Sequence, residues 1–229
     1  MSLGPLHVVK QSNKLCSGAV IFLHGSGDTG QGVLNWVKFL VGDNFSLPHV
    51  KFLFPTAPLR PYTPLRGELS HVWFDRLDIT PEVPEHEETL NSVGGEINKI
   101  IEDVVKSGVP LDRIIVGGFS MGGALALHTG YRYTPGLPGV FTLSSFLNKN
   151  SLVYKELKSK ETKLFMCHGD RDTLVPIEWG IETYKELDKL GIDVNFNRFK
   201  NTMHELKKRE ILDLFEWIQT IIPPLPNDN

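Results

Sequence analysis

Residues 113–123 read Arg-Ile-Ile-Val-Gly-Gly-Phe-Ser-Met-Gly-Gly. Within them, Gly118-Phe119-Ser120-Met121-Gly122 has the Gly-x-Ser-x-Gly spacing with which a serine attacks a carbonyl carbon. The apolar run Ile114-Ile115-Val116 precedes it, and the helix-forming run Ala124-Leu125-Ala126-Leu127 follows. The order predicted is buried strand, sharp turn, helix. The glycines leave room where strand and helix nearly touch. The turn presents the hydroxyl at a helix N-terminus, where developing negative charge is favoured. An ordinary serine in a glycine-rich turn has the same short pattern, so the weight falls on its partners.

A serine hydroxyl is a weak nucleophile at neutral pH. It needs a base within hydrogen-bond reach and a carboxylate that fixes the base's tautomer. In the strand–turn–helix setting the chain order is serine, acid, histidine. Downstream of Ser120 stand His128, His168 and His204. His128 falls two turns into the following helix, on the wrong side for a base, and is expected to be packed or on the surface. His168 ends an apolar run before Gly169 and reads as a strand-end residue bonded to backbone. His204, in Lys200-Asn201-Thr202-Met203-His204, lies between the last strand and the last helix, where the base belongs. Asp170 and Asp172 both follow the strand that ends at His168. One of them holds the histidine, and the other structures the turn. An oxyanion cradle needs two backbone N–H groups. Met121 supplies one, and His24-Gly25-Ser26-Gly27 supplies the other through Ser26. That loop lacks the lysine of a P-loop and the Gly-x-Gly-x-x-Gly spacing, which argues against a nucleotide.

Strands and helices alternate around these residues. Strands are expected over 6–10, 19–24, 50–54, 140–144, 163–168 and 193–199, besides the one leading into Ser120. Helices are expected over 33–41, 85–107, 176–190 and 205–222, besides the one following Ser120. Residues 56–82 read as a long proline-rich connection, and its length points to a functional loop. Its 56–74 part is expected either to wall the site around Ser120, with Leu59, Tyr62, Leu65 and Trp73 as apolar surface, or to pack those side chains onto the body. Arg60 and Arg66 read as solvated surface arginines, with orientation of an anionic substrate as the alternative. The alternation implies an α/β fold with a mostly parallel sheet and helices on both faces. Ligands in such folds bind beyond the C-terminal ends of the strands, which is where the candidates gather.

The 229 residues, 41% hydrophobic and 22% charged, suffice for one domain over 1–229, with a core at about 19–222 and a frayed tail at 223–229. A formal net charge of −3 gives no footprint for nucleic acid or anionic membrane. No apolar run has the length of a membrane span. The N-terminus lacks the pattern of a secretory signal, and Ser2 stands where myristoylation needs glycine. The two cysteines, Cys16 and Cys167, fit a reducing compartment, with Cys167 a core thiol. Neither Cys-x-x-Cys nor His-Glu-x-x-His occurs, so no metal and no cofactor are expected.

Several motifs follow one another in a fixed order: His24-Gly25-Ser26-Gly27-Asp28, Pro55-Thr56-Ala57-Pro58, Trp73-Phe74-Asp75, Gly117 to Gly123 around Ser120, His168-Gly169-Asp170 with Asp172 and Val175-Pro176, and His204. Together they resemble the acyl-protein thioesterase and lysophospholipase family, small α/β-hydrolases without a cap domain. The resemblance spans about 19–222. Ser26 after His-Gly, Met121 after the nucleophile and Ser144-Ser145-Phe146-Leu147-Asn148-Lys149 resemble its lysophospholipase-like branch. It implies Ser120, Asp172 and His204 as a triad, with Ser26 and Met121 as oxyanion donors. It also implies a cytosolic enzyme cleaving acyl esters or thioesters, S-acylated proteins among them, with a shallow pocket for short chains. The acylated N-terminal cysteine of the thioesterase relatives is missing, so no stable membrane anchor is implied. A broad carboxylesterase or lysophospholipase shares the same triad chemistry, and a binding protein that keeps only the fold is the reading of another class.

Overall fold

A computed structural model describes residues 2–42, 45 and 47–226. Nine strands form. They are β1 (Leu6–Val9), β2 (Gly18–Leu23), β3 (Val50–Pro55), β4 (Leu59–Tyr62), β5 (Glu68–His71), β6 (Ile114–Phe119), β7 (Gly139–Leu143), β8 (Lys163–Gly169) and β9 (Val194–Phe199). The helices are α1 (Gly30–Val41), α2 (Glu87–Lys106), α3 (Met121–His128), α4 (Leu152–Lys155), α5 (Ile177–Lys189) and α6 (Lys208–Ile221). Seven strands make one sheet in the order β1-β3-β2-β6-β7-β8-β9. Among the described residues of that sheet, only β1 runs antiparallel to its neighbour. The mostly parallel α/β expectation holds, and the fold is that of an α/β-hydrolase.

Strand β2 shows why the sheet needs helices on both faces. All six of its residues are buried. Ala19, Ile21 and Leu23 join a core with Leu90, Val93 and Ile97 of α2 and Leu125 of α3. Val20 and Phe22 join the opposite core with Val33 and Val37 of α1 and Ile211 and Leu214 of α6. Successive side chains leave a strand on opposite faces, so an unbroken apolar run needs a cover on each side.

Helix ends are set by local bonds. The Thr29 side chain accepts from the Gly32 N–H and starts α1 three residues before the expected position. Helix α6 begins later than expected, where the Glu210 carboxylate accepts from the Lys207 N–H at 2.7 Å. The connection over 56–82 is not a plain loop. β4 and β5 pair in an antiparallel hairpin around a short 3₁₀ turn at Thr63–Leu65. The tail is tied down further than expected, because Arg113 donates to the Pro223 carbonyl at 2.6 Å. Of the frayed stretch expected at 223–229, residues 227–229 lie outside the described residues.

Candidate active site

Ser120 sits between β6 and α3 at φ 53°, ψ −120°. That is a strained conformation for a residue with a side chain, of the kind that persists where function needs it. The surrounding structure holds it. The Ser120 N–H donates to the Leu143 carbonyl at 2.8 Å, and the Ser145 hydroxyl donates to the Ser120 carbonyl at 2.7 Å. A Cβ on either Gly118 or Gly122 would collide with the Leu23 carbonyl oxygen, so strand and helix can cross β2 only as glycine.

The loop after β8 supplies the carboxylate. Asp172 Oδ1 accepts from the N–H groups of Leu174 (3.0 Å) and Val175 (2.8 Å), which fixes the carboxylate plane. Its Oδ2 lies 2.7 Å from His204 Nδ1. Burial works to raise the Asp172 pKa, but the bonds from His204 and Val175 prevail and hold it below the usual carboxylate range. A charged Asp172 makes Nδ1 the donor and leaves His204 Nε2 free to take a proton. The imidazole rests on Phe119, with ring centroids 4.7 Å apart. Ser120 and His204 line one cavity of about 150 Å³, together with Gly25, Ser26, Tyr62 and Arg76.

The loop after β2 closes the same cavity. The Ala57 N–H donates to His24 Nε2 at 2.9 Å, so His24 Nδ1 carries the proton and donates to the Gly25 carbonyl at 2.7 Å. Burial pushes the His24 pKa down to about 4, which keeps this tautomer neutral. A trans peptide sets its N–H opposite its C=O. Fixing the Gly25 carbonyl therefore fixes the direction of the Ser26 N–H.

The chain matches the model of the phospholipase/carboxylesterase family over residues 5–222. It belongs to that family. The mouse lysophospholipase-like protein 1 is 46% identical over 210 residues, covering 90% of this chain and 88% of the relative. The acyl-protein thioesterase 1 homolog 2 of Dictyostelium discoideum is 34% identical, covering 90% and 95%. Among solved structures, Arabidopsis thaliana SOBER1 superposes with a TM-score of 0.80 at 25% identity over 90% of this chain and 99% of that one. Zea mays acyl-protein thioesterase 2 gives 0.78 at 25% identity, over 96% and 99%. This phospholipase/carboxylesterase family member is a hydrolase, and the family is the one its motifs resembled.

Other candidates are placed differently. Asp170 structures the loop, its Oδ1 accepting from the Asn201 N–H at 2.7 Å. His168 Nε2 donates to the Val175 carbonyl at 2.8 Å, bonded to backbone as expected. His128 is buried and bonds Glu85 at 2.9 Å. Tyr62 does line the cavity. Trp73 does not: it is fully buried, and its indole N–H donates to the His24 carbonyl at 2.8 Å. It braces the loop from behind rather than offering surface to a substrate. Leu65 is about half exposed on the hairpin's turn and lines no cavity near Ser120, and Leu59 is likewise exposed on β4. Arg60, expected to be solvated, is buried and donates to the Trp73 carbonyl at 3.2 Å. The sequence reading missed His24 and Ser145 as supports and Arg76 as a cavity residue. His-Gly ahead of a glycine loop was the available signal for His24.

Proposed function

We propose that this protein is a serine hydrolase that cleaves acyl esters or thioesters, with Ser120, His204 and Asp172 as its triad. One observation carries the reading: the 2.7 Å Asp172–His204 bond, whose imidazole opens on the cavity that Ser120 lines. Ser120 Oγ attacks the carbonyl carbon while His204 Nε2 takes its proton, and Asp172 stabilises the imidazolium. The N–H groups of Ser26 and Met121 hold the oxyanion. His204 returns the proton to the departing thiol or alcohol. Water then repeats the cycle on the acyl-enzyme and releases the carboxylic acid.

The cavity size supports short acyl groups. A second groove, of about 460 Å³, is lined by Trp36, Phe119, His204 and Leu206. It lies on the histidine side, where the leaving group must be to receive its proton. The names of the relatives support S-acylated proteins as substrates. The two free cysteines support a reducing compartment, the cytoplasm, as the place of action. No helix among the described residues is long and apolar enough to cross a membrane. We read the chain as one hydrolase domain over 1–229.

The test is turnover of a butyryl thioester by the full chain and by Ser120→Ala. The variant is expected to fall to background. Turnover kept at the unmutated rate would overturn the assignment of the nucleophile.

A further inference from the structure

Arg76 is 9% exposed, yet its guanidinium has no hydrogen bond or ion pair among the described residues. It lies against two aromatic faces, 5.1 Å from the Phe74 centroid and 5.4 Å from that of Phe146. A backbone bridge to Glu85 holds its own stretch of chain. The carboxylates that could neutralise it are engaged elsewhere. Asp75 accepts from the N–H and hydroxyl of Thr63. Glu85 accepts from His128 Nε2 and the Leu152 N–H. Burial drives the Arg76 pKa down, but arginine keeps its charge. A buried, unpaired charge is costly, and a guanidinium's coplanar N–H groups suit a carboxylate.

Arg76 lines the same cavity of about 150 Å³ as Ser120, Ser26 and His204. Beside it stands the buried Tyr62 hydroxyl, which makes no well-formed hydrogen bond among the described residues. The Ser26 hydroxyl lies close enough to act on the Tyr62 hydroxyl, while its own hydrogen bond runs to Met121 Sδ at 3.6 Å. The cavity equals roughly five water volumes at about 30 Å³ each, room for a chain of about four carbons. Asp28 would repel an anion, but it also lines the groove on the histidine side, which Arg76 does not.

We propose that Arg76 and Tyr62 bind a terminal carboxylate on the acyl group, so that the preferred substrates are short half-esters or half-thioesters of dicarboxylic acids. The inference rests on the serine hydrolase reading above and names the acyl class for that site. The acyl carbonyl sits at Ser120, the chain crosses the small cavity, and its far carboxylate meets the guanidinium and the phenol. The leaving group departs on the His204 side, past Asp28. Hydrolysis then yields the free dicarboxylic acid and the thiol or alcohol.

The test compares kcat/KM for S-succinyl- and S-butyryl-N-acetylcysteamine, with Ser120→Ala giving the spontaneous rate to subtract. The full chain is expected to favour the succinyl thioester by about tenfold or more, the scale of a hydrogen bond to a charged group. Arg76→Met should bring the ratio to one or below, and Arg76→Lys should keep part of it. Each variant is counted by its fluorophosphonate-reactive fraction. Free succinate should also inhibit the unmutated protein more strongly than butyrate, a readout that needs no variant. A succinyl-to-butyryl ratio of one or below in the unmutated protein overturns the proposal. So does a stronger preference for the butyryl thioester of 3-mercaptopropionate, which carries its carboxylate on the leaving half. If butyryl turnover and labelling are present while the succinyl preference is absent, only this inference fails. If both are absent, the hydrolase reading fails with it.

Discussion

The side chains of Ser26 and Met121 are bonded to each other: the Ser26 hydroxyl donates to Met121 Sδ at 3.6 Å. One residue belongs to the loop after β2 and the other opens α3. The two segments whose backbone N–H groups are proposed to hold the oxyanion are thus joined at their side chains. Ser26→Ala keeps both N–H groups and removes only the tie. It should lower kcat by about fivefold, the scale of one modest hydrogen bond, with little change in KM. Steady-state kinetics on a butyryl thioester check this. A loss of a hundredfold would mean that the hydroxyl itself stabilises the reaction.

His24 supports the same loop from inside. Its neutral ring accepts from Ala57 and donates to Gly25. His24→Leu removes both bonds while filling similar space. Misaiming one oxyanion donor should reduce kcat by about tenfold to a hundredfold and leave the His204–Asp172 bond intact. Fluorophosphonate labelling at Ser120 should persist at a reduced rate. Unchanged kcat would show that the Gly25–Ser26 peptide is held without the imidazole.

Asp172→Asn keeps the shape of the side chain and removes its charge. The amide favours the wrong imidazole tautomer, so kcat should fall by about three to four orders of magnitude, the scale seen for this change in serine proteases. Thermal unfolding checks that the loop survives, since Oδ1 can still accept from Leu174 and Val175. A drop of less than tenfold would place the working carboxylate elsewhere.

Much of this arrangement is written in local chemistry. The strand before Ser120 and the helix after it follow from Ile114-Ile115-Val116 and Ala124-Leu125-Ala126-Leu127, because short-range hydrophobic runs and glycine spacing specify both. The hairpin over 59–71 does not follow. In β4 it is Arg60 and Tyr62 that are buried, while Leu59 and Pro61 are exposed, so the apolar residues mark the wrong face. The buried arginine is satisfied by the Trp73 carbonyl, a contact across thirteen positions that no periodicity reveals. Arg76 escaped notice for a similar reason: arginines are ordinarily exposed, and only the two phenylalanine rings that enclose it make burial possible. Trp73 shows the opposite case, where wall and packing are both open in the sequence and packing is what the structure has. A large aromatic residue in a loop suggested a substrate wall, but its indole N–H has a backbone partner in the interior.

Glu210 gives stability a pH dependence of known sign. Burial pushes its pKa up to about 7 from the ordinary 4.5, despite the bond from the Lys207 N–H. Between those values the folded state holds a proton that the unfolded state has lost. This contribution is therefore most favourable below about pH 4.5 and fades as pH rises to about 7, by on the order of 3 kcal/mol. Glu210→Gln keeps an acceptor for Lys207 and has no charge to bury. It should be more stable than the unmutated protein at pH 8 and nearly equal to it at pH 4.5, as read by urea unfolding at the two values. Parallel curves at both pH values would remove Glu210 from the account.

The nucleophile itself is tested most directly by mass spectrometry of the full chain after brief exposure to a fluorophosphonate. One adduct per molecule is predicted, on the peptide that contains Ser120, and its rate of formation should fall at least a hundredfold in His204→Ala. Adducts spread over other residues, or an unchanged rate without the imidazole, would contradict the triad.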